Sequence, residues 1–192
     1  MDAAEALILD HGFAGTAVDA VVERAGVTKG AFFHHFSSKS ELAHALVERY
    51  SELDEEMLEG YMGRAERLSR DPLQQLLIFV GLFEEAMAEL TEPYPGCLLA
   101  SYIYEAGLFD REVHGIIRRT VETWRSRLGA KVREAAEAHP PRVEADLSAV
   151  ADQMWVVAEG AFILSKEMRE PAAVAAQLRE YRNYLELLFG AA

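Results

Sequence analysis

Between Thr16 and Leu42 the chain reads TAVDAVVERAGVTKGAFFHHFSSKSEL, two short apolar-patterned stretches separated only by Ala25-Gly26-Val27. So tight a spacing leaves room for two brief helices and one turn. Thr16 is read as the side-chain cap of the first helix, Val18, Val21, Val22 and Ala25 as its inward positions, and Gly26 as the left-handed residue that ends it. Thr28 caps the second, where Phe32 and Phe36, four apart, share the buried face. Gly30 and His34 lie on the opposite side, flanked by Ala31 and Phe33. That exposed side is what a DNA major groove would meet. Lys39, opening a third helical pattern after Ser37-Ser38, is placed where a DNA backbone would run, and such charges supply most of the affinity for DNA.

These residues carry a family resemblance. Gly12-Phe13, Thr16, Ala25-Gly26-Val27, Thr28-Lys29-Gly30, Phe33-His34-His35-Phe36 and Lys39 fall in the register of the helix-turn-helix of TetR-type (TetR/AcrR) transcriptional regulators, which the segment resembles. The resemblance implies a DNA-binding set of Thr16, Thr28, Lys29, Gly30, Ala31, Phe33, His34, His35 and Lys39. Two departures subtract phosphate contacts: Phe33 stands where the family commonly has Tyr, and Ala17 where Thr or Ser is frequent. Helix one looks clipped before Ala3-Ala4-Glu5, so Met1 is not expected to be the natural start.

Charge is distributed to suit that reading. The chain of 192 residues has a formal net charge of −13, which argues against a general nucleic-acid coat protein. Residues 16 to 50 nevertheless hold four basic and four acidic side chains and three histidines, so the acid sits elsewhere. An acidic body weakens non-specific binding and leaves occupancy dependent on base contacts. The single cysteine excludes an internal disulfide framework, and a cytoplasmic setting is expected. The longest strongly apolar run, Met154 to Leu164, contains Glu159 and is too short to span a bilayer, so no membrane partner is expected.

Apolar residues recur at three and four along the whole chain, which predicts an all-α fold: a three-helix helix-turn-helix domain over 1–50 and a larger helical ligand-binding and dimerisation domain over 51–192. Helices are expected over Asp2 to His11, from Lys39 to as far as Ser69, from Pro72 behind its Asp71 cap to Leu90, and from Cys97 to Ala106. Asp110 caps a long helix ending near Ala138, His139-Pro140-Pro141 breaks it, and two more run from Val143 to Arg169 and from Pro171 to Phe189.

The last two helices have surplus apolar surface. Leu147, Val150, Met154, Val157, Ala161 and Leu164 form one stripe, with Ala151, Trp155, Ala158 and Phe162 a second line beside it, and Val174, Leu178, Tyr181, Leu185 and Leu188 line the final helix. A four-helix homodimer interface, two helices from each subunit, accounts for that surplus; a purely internal core is the alternative.

Phe79, Phe83, Met87, Tyr102, Trp124, Trp155 and Phe162 fall on inward positions and are first of all core residues, but aromatic and Met walls also suit a small-molecule inducer, and the family resemblance implies such a cavity. Tyr104, Glu105, His114 and Glu159 are the candidate polar points. Glu159 stands out as a carboxylate inside an apolar run. Cys97, after Gly96 at a helix start, offers a thiol-based oxidant or electrophile sensor as an alternative mode. His34 and His35 point about 100° apart on a helix and have no complementary ligand nearby, so no metal and no cofactor are expected. A catalytic role for Glu105, Glu159 and His114 is a weak alternative without nucleophile-base spacing. The sequence therefore points to a non-enzymatic homodimeric repressor with three partners: a palindromic operator, a second copy and an inducer.

Overall fold

The computed structural model describes residues 1–190. Among them there is no strand. The helices are α1 (Asp2–Gly15), α2 (Val18–Ala25), α3 (Lys29–His35), α4 (Lys39–Leu68), α5 (Pro72–Ala88), α6 (Leu98–Tyr104), α7 (Arg111–Ala138), α8 (Leu147–Met168) and α9 (Ala173–Phe189), with a single 3-10 turn at Ala106–Leu108.

Local chemistry sets most of these bounds. Asp71 caps α5 by accepting from the Gln74 amide, with Pro72 at the first helical position. Asp110 accepts from the Glu112 and Val113 amides, which holds its carboxyl below the usual carboxylate range. At α4, Ser38 Oγ accepts from the Glu41 amide while the Glu41 carboxylate accepts from both the amide and the hydroxyl of Ser37.

Several boundaries differ from the sequence reading, among them the start of α9, at Ala173 instead of Pro171, and the end of α5, at Ala88 instead of Leu90. α8 begins at Leu147, four residues later than expected, because Asp146 caps it through Ser148 and Ala149 while Val143 is exposed in the preceding loop. α6 is shorter at both ends than Cys97 to Ala106. α1 continues to Gly15 but is interrupted at Gly12, whose φ of 74° only glycine adopts readily.

The chain forms two compact units, and their membership does not follow one cut in the sequence. The first comprises Met1–Asp54 together with Pro95–Thr120; the second comprises Glu55–Tyr94 and the chain from Val121 onward. In the first unit α1 packs on α2 and α6, and Leu7, Ile8, Phe13, Leu46, Leu98 and Tyr102 are buried. Arg49 of α4 donates to both Asp2 and Glu5 of α1. In the second unit α9 packs against α5 and α8, around Leu58, Leu76, Phe79, Met154, Leu178 and Leu185. The Arg179 guanidinium reaches Glu84 from α9 to α5 at 2.8 Å, and Tyr181 donates to the Val150 carbonyl at 2.8 Å.

Candidate nucleic-acid interface and effector cleft

Within the first unit, α2 and α3 form the expected pair. Gly26 ends α2 in the left-handed region, φ 65°. Thr28 Oγ1 accepts from the Ala31 amide at 3.1 Å and so starts α3. Phe32 is buried and Phe36 half-buried, their ring centroids 5.7 Å apart, which seats α3 by one face. The other face is bare: Thr28, Lys29, Gly30, Ala31, Phe33, His34 and His35 are all exposed. The Lys29 ammonium rests 2.7 Å from the Asp19 carboxylate of α2. An exposed pair of this kind is worth about 0–1 kcal/mol, so it yields readily to a phosphate or a base edge.

Two residues of the implied DNA-binding set have other duties. Thr16 is 3% exposed, and its hydroxyl donates to the Gly12 carbonyl; it closes the C-terminus of α1 and does not cap α2, since the residue preceding α2 is Ala17 and no side chain serves there. Lys39 has partners within its own unit. Its ammonium donates to the Phe13 carbonyl and lies 4.1 Å from the centre of the Phe13 ring, and burial lowers its pKa against the opposing pull of Glu105. Of the inward positions read for α2, Val21 is buried, Val18 and Val22 are half-buried, and Ala25 is exposed.

The aromatic candidates separate into two groups. In the second unit Phe79 and Phe83 meet Trp124 edge-on, with centroids 6.2 and 6.3 Å away, and Trp124 meets Trp155 at 5.8 Å. Beside these two tryptophans lies a cleft of about 340 Å³ whose other walls are Val121, Leu128, Ala151 and Val156. Arg125 and Asp152 line it as well, joined by a bidentate pair at 2.7 and 2.9 Å. The sequence reading named neither; their signal was an Arg and an Asp each one residue from an inward aromatic or Ala, on the rim of an apolar stripe. Phe162 instead stacks on Tyr94, 4.0 Å between centroids, and Met87 and Glu159 are half-buried away from the cleft's walls.

Tyr102 belongs to the first unit, stacked on Phe109 at 4.2 Å with its hydroxyl donating to the Ala43 carbonyl. Burial raises its phenol pKa. Tyr104 is exposed, His114 bonds the Ala106 carbonyl, and Glu105 accepts from the amides of Phe13 and Ala14. These three share the first unit, whereas Glu159 lies in the second. Cys97 is the buried N-cap residue of α6, its thiol making no cap hydrogen bond, the usual place of a small apolar residue, which gives the thiol reading no advantage.

The stripes assigned to dimerisation turn out to serve the subunit's own core. Val150, Met154, Ala161, Leu178, Tyr181, Leu185 and Leu188 are buried within one chain, and Leu147 and Val157 are half-buried. What α8 and α9 leave open is Leu164 of the first stripe and five residues outside the stripes: Val156, Ile163 and Met168, with Tyr184 and Leu187. Helical periodicity shows how much of a circumference is apolar, not which arc the chain itself covers. On length and composition alone α8 is also apolar enough to cross a bilayer.

Comparisons with known proteins agree with this geometry. Residues 1–46 match the profile of bacterial regulatory proteins of the tetR family, and residues 72–181 that of the tetracyclin repressor-like C-terminal domain. The transcriptional regulator AcuR of Cereibacter sphaeroides is 29% identical over 164 residues, covering 83% of this chain and 71% of its own length. The crystal structure of a regulatory protein TetR from Rhodobacter sphaeroides superposes with a TM-score of 0.73 at 26% identity, covering 94% of each chain. A TetR family regulator from Agrobacterium tumefaciens shares the fold with a TM-score of 0.75 at 24% identity, over 98% of this chain and 94% of its own. An all-α chain with a capped, outward-facing α3 and matches over both segments belongs to the TetR family of transcriptional regulators.

Proposed function

We propose that the protein is a cytoplasmic homodimeric repressor that holds a near-palindromic operator through α3 and releases it when a small, mainly apolar or aromatic molecule binds the second unit. Residues 1–50 carry DNA reading in this proposal and residues 51–192 carry ligand binding and dimerisation. The observation that bears most weight is the bare face of α3, with Lys29, His34 and His35 presented on a helix seated by Phe32. Phosphate contacts hold such a helix in register and its base-edge contacts give the specificity.

A second copy is the occupant that best suits the open face of α8 and α9. Asp152, Glu159 and Lys166 interrupt α8, which a bilayer would tolerate poorly but the rim of a protein interface accommodates. The cleft at Trp124 and Trp155 is the proposed effector site, with flat aromatic walls and the Arg125–Asp152 pair as its polar edge.

Trp124 and Trp155 are the chain's only tryptophans, so intrinsic fluorescence reports directly on that cleft. A panel of small aromatic and apolar compounds should contain one that quenches this emission over the concentration range in which it frees DNA. By linkage, DNA must weaken that compound's binding by the same factor. A compound that quenches with equal affinity in the presence and absence of bound DNA would contradict release through this cleft.

A further inference from the structure

The interruption of α1 at Gly12 leaves the next amides without the carbonyls four residues back that a continuous helix supplies. One side chain takes both. Glu105, ninety-two residues away and capping the C-terminus of α6, accepts from the Phe13 amide at 2.5 Å through Oε1 and from the Ala14 amide at 2.8 Å through Oε2. On the other side of the Phe13–Ala14 peptide, whose N–H Glu105 Oε2 holds, the Phe13 carbonyl accepts from the Lys39 ammonium. The Phe13 residue thus has a carboxylate on its N–H and an ammonium on its C=O, each charge aligned with the dipole of the group it meets. The Phe13 ring completes the grip, 4.8 Å from Phe109 and 5.9 Å from Tyr102, with Lys39 over its face.

The fit is close. A Cβ at Gly12 would stand 2.8 Å from Glu105 Oε1, so a larger residue there would push the carboxylate aside, while the φ of 74° favours glycine by itself. Directly after this clasp the chain passes through Thr16, buried and bonded back to Gly12, into α2 and then α3.

We propose that Glu105 is a positioning residue for DNA reading: its carboxylate, with the Lys39 ammonium opposite, clasps the Phe13 peptide and fixes the direction in which α1 hands the chain to α2 and α3. The inference rests on the proposal that α3 reads an operator. In this account Lys39 contributes to operator affinity through Phe13 and not through phosphate, and Glu105 contributes although it touches no DNA.

The test uses the full chain and two probes, a duplex recovered by the wild-type protein from random DNA and a scrambled duplex of the same composition. Glu105→Gln keeps one acceptor but turns an amide donor toward the second N–H and removes the counter-charge of Lys39. It should weaken binding to the recovered duplex about tenfold while leaving the scrambled duplex within about twofold, the loss expected of a charge-assisted bond. Lys39→Met should do the same with no change in salt dependence, and the double variant should be scarcely weaker than either single, because both act through one peptide. Amide exchange at Phe13 and Ala14 should quicken in Glu105→Gln, which reads the clasp independently of DNA. Unchanged operator binding in Glu105→Gln, equal losses on both duplexes, or additive effects of the two changes would each overturn the inference. So would a salt slope lowered by about one in Lys39→Met, the mark of a direct phosphate contact. If the wild-type protein recovered no duplex, the operator reading itself would fall and this inference with it, an outcome distinct from a recovered duplex that the variants bind normally.

Discussion

Leu185 and Leu187 stand two residues apart on α9, about 200° around the helix, and the structure assigns them opposite fates. Leu185 is 0% exposed within one subunit, whereas Leu187 is 70% exposed. Leu185→Ala empties a packed site and should cost the folded subunit about 2–5 kcal/mol. Leu187→Ala removes a side chain that the subunit barely uses, so unfolding measured in conditions where the subunits are separate should change by less than about 0.5 kcal/mol. Dimerisation should behave the other way round. Full burial of a Leu is worth about 1.5–3 kcal/mol, so covering the open two thirds contributes roughly 1–2 kcal/mol per subunit and about 3 kcal/mol per symmetric dimer. That corresponds to a dimer dissociation constant raised on the order of a hundredfold. Sedimentation equilibrium over a wide concentration range, beside urea unfolding of the same samples, separates the two effects. A Leu187→Ala dimer as tight as wild type would place the interface elsewhere and refute the reasoning from exposure; a Leu185→Ala subunit as stable as wild type would refute the assignment of the core.

Asp19→Asn should strip the Lys29 ammonium of its internal partner and raise affinity for arbitrary duplex DNA, with a salt slope steeper by up to about one; an unchanged slope would mean that Lys29 faces no phosphate or base. In the second unit, Lys131 is nearly enclosed and reaches Gln75 at 2.6 Å, Glu134 at 2.7 Å and Glu66 at 3.0 Å, while Arg127 reaches Glu66 at 2.8 Å. Burial alone would raise the Glu66 carboxyl, but the hydrogen bonds and charges of Arg127 and Lys131 outweigh it and lower it. A depressed carboxyl stabilises the fold above its unfolded pKa and loses that contribution as pH falls through its folded one. Glu66→Gln should therefore be less stable than wild type at neutral pH, and the gap should close below about pH 4; a gap independent of pH would show that the carboxylate's charge contributes nothing.

The elements most legible from sequence were those fixed by short-range chemistry. Asp71 with Pro72, Asp110, Gly26 and Thr28 each set a helix end through atoms within three or four residues, and each does so in the structure. Thr16 looked like the same kind of cap. Its hydroxyl instead serves the break at Gly12, which is visible only once α1 is known to stop and restart. Lys39 and Glu105 were read from their charge, as a phosphate contact and a polar point of a cavity, but their bonds to Phe13, spanning twenty-six and ninety-two residues, have no periodicity by which sequence could reveal them. The α8 and α9 stripes show the remaining gap. Their apolar spacing was plain, yet whether Leu185 or Leu187 faces outward depends on where α5 lies, and that is a property of the packed unit.

The central claim, that a dimer of this chain reads DNA through α3, is tested most directly by presenting the full-length protein with random duplexes, sequencing what it retains, and repeating the selection with Lys29→Ala. The account predicts an enriched near-palindrome with half-sites about one helical turn or a little more apart, and loss of preference at particular base pairs in the variant. An enriched site without two-fold symmetry, or identical sites recovered by both proteins, would contradict it.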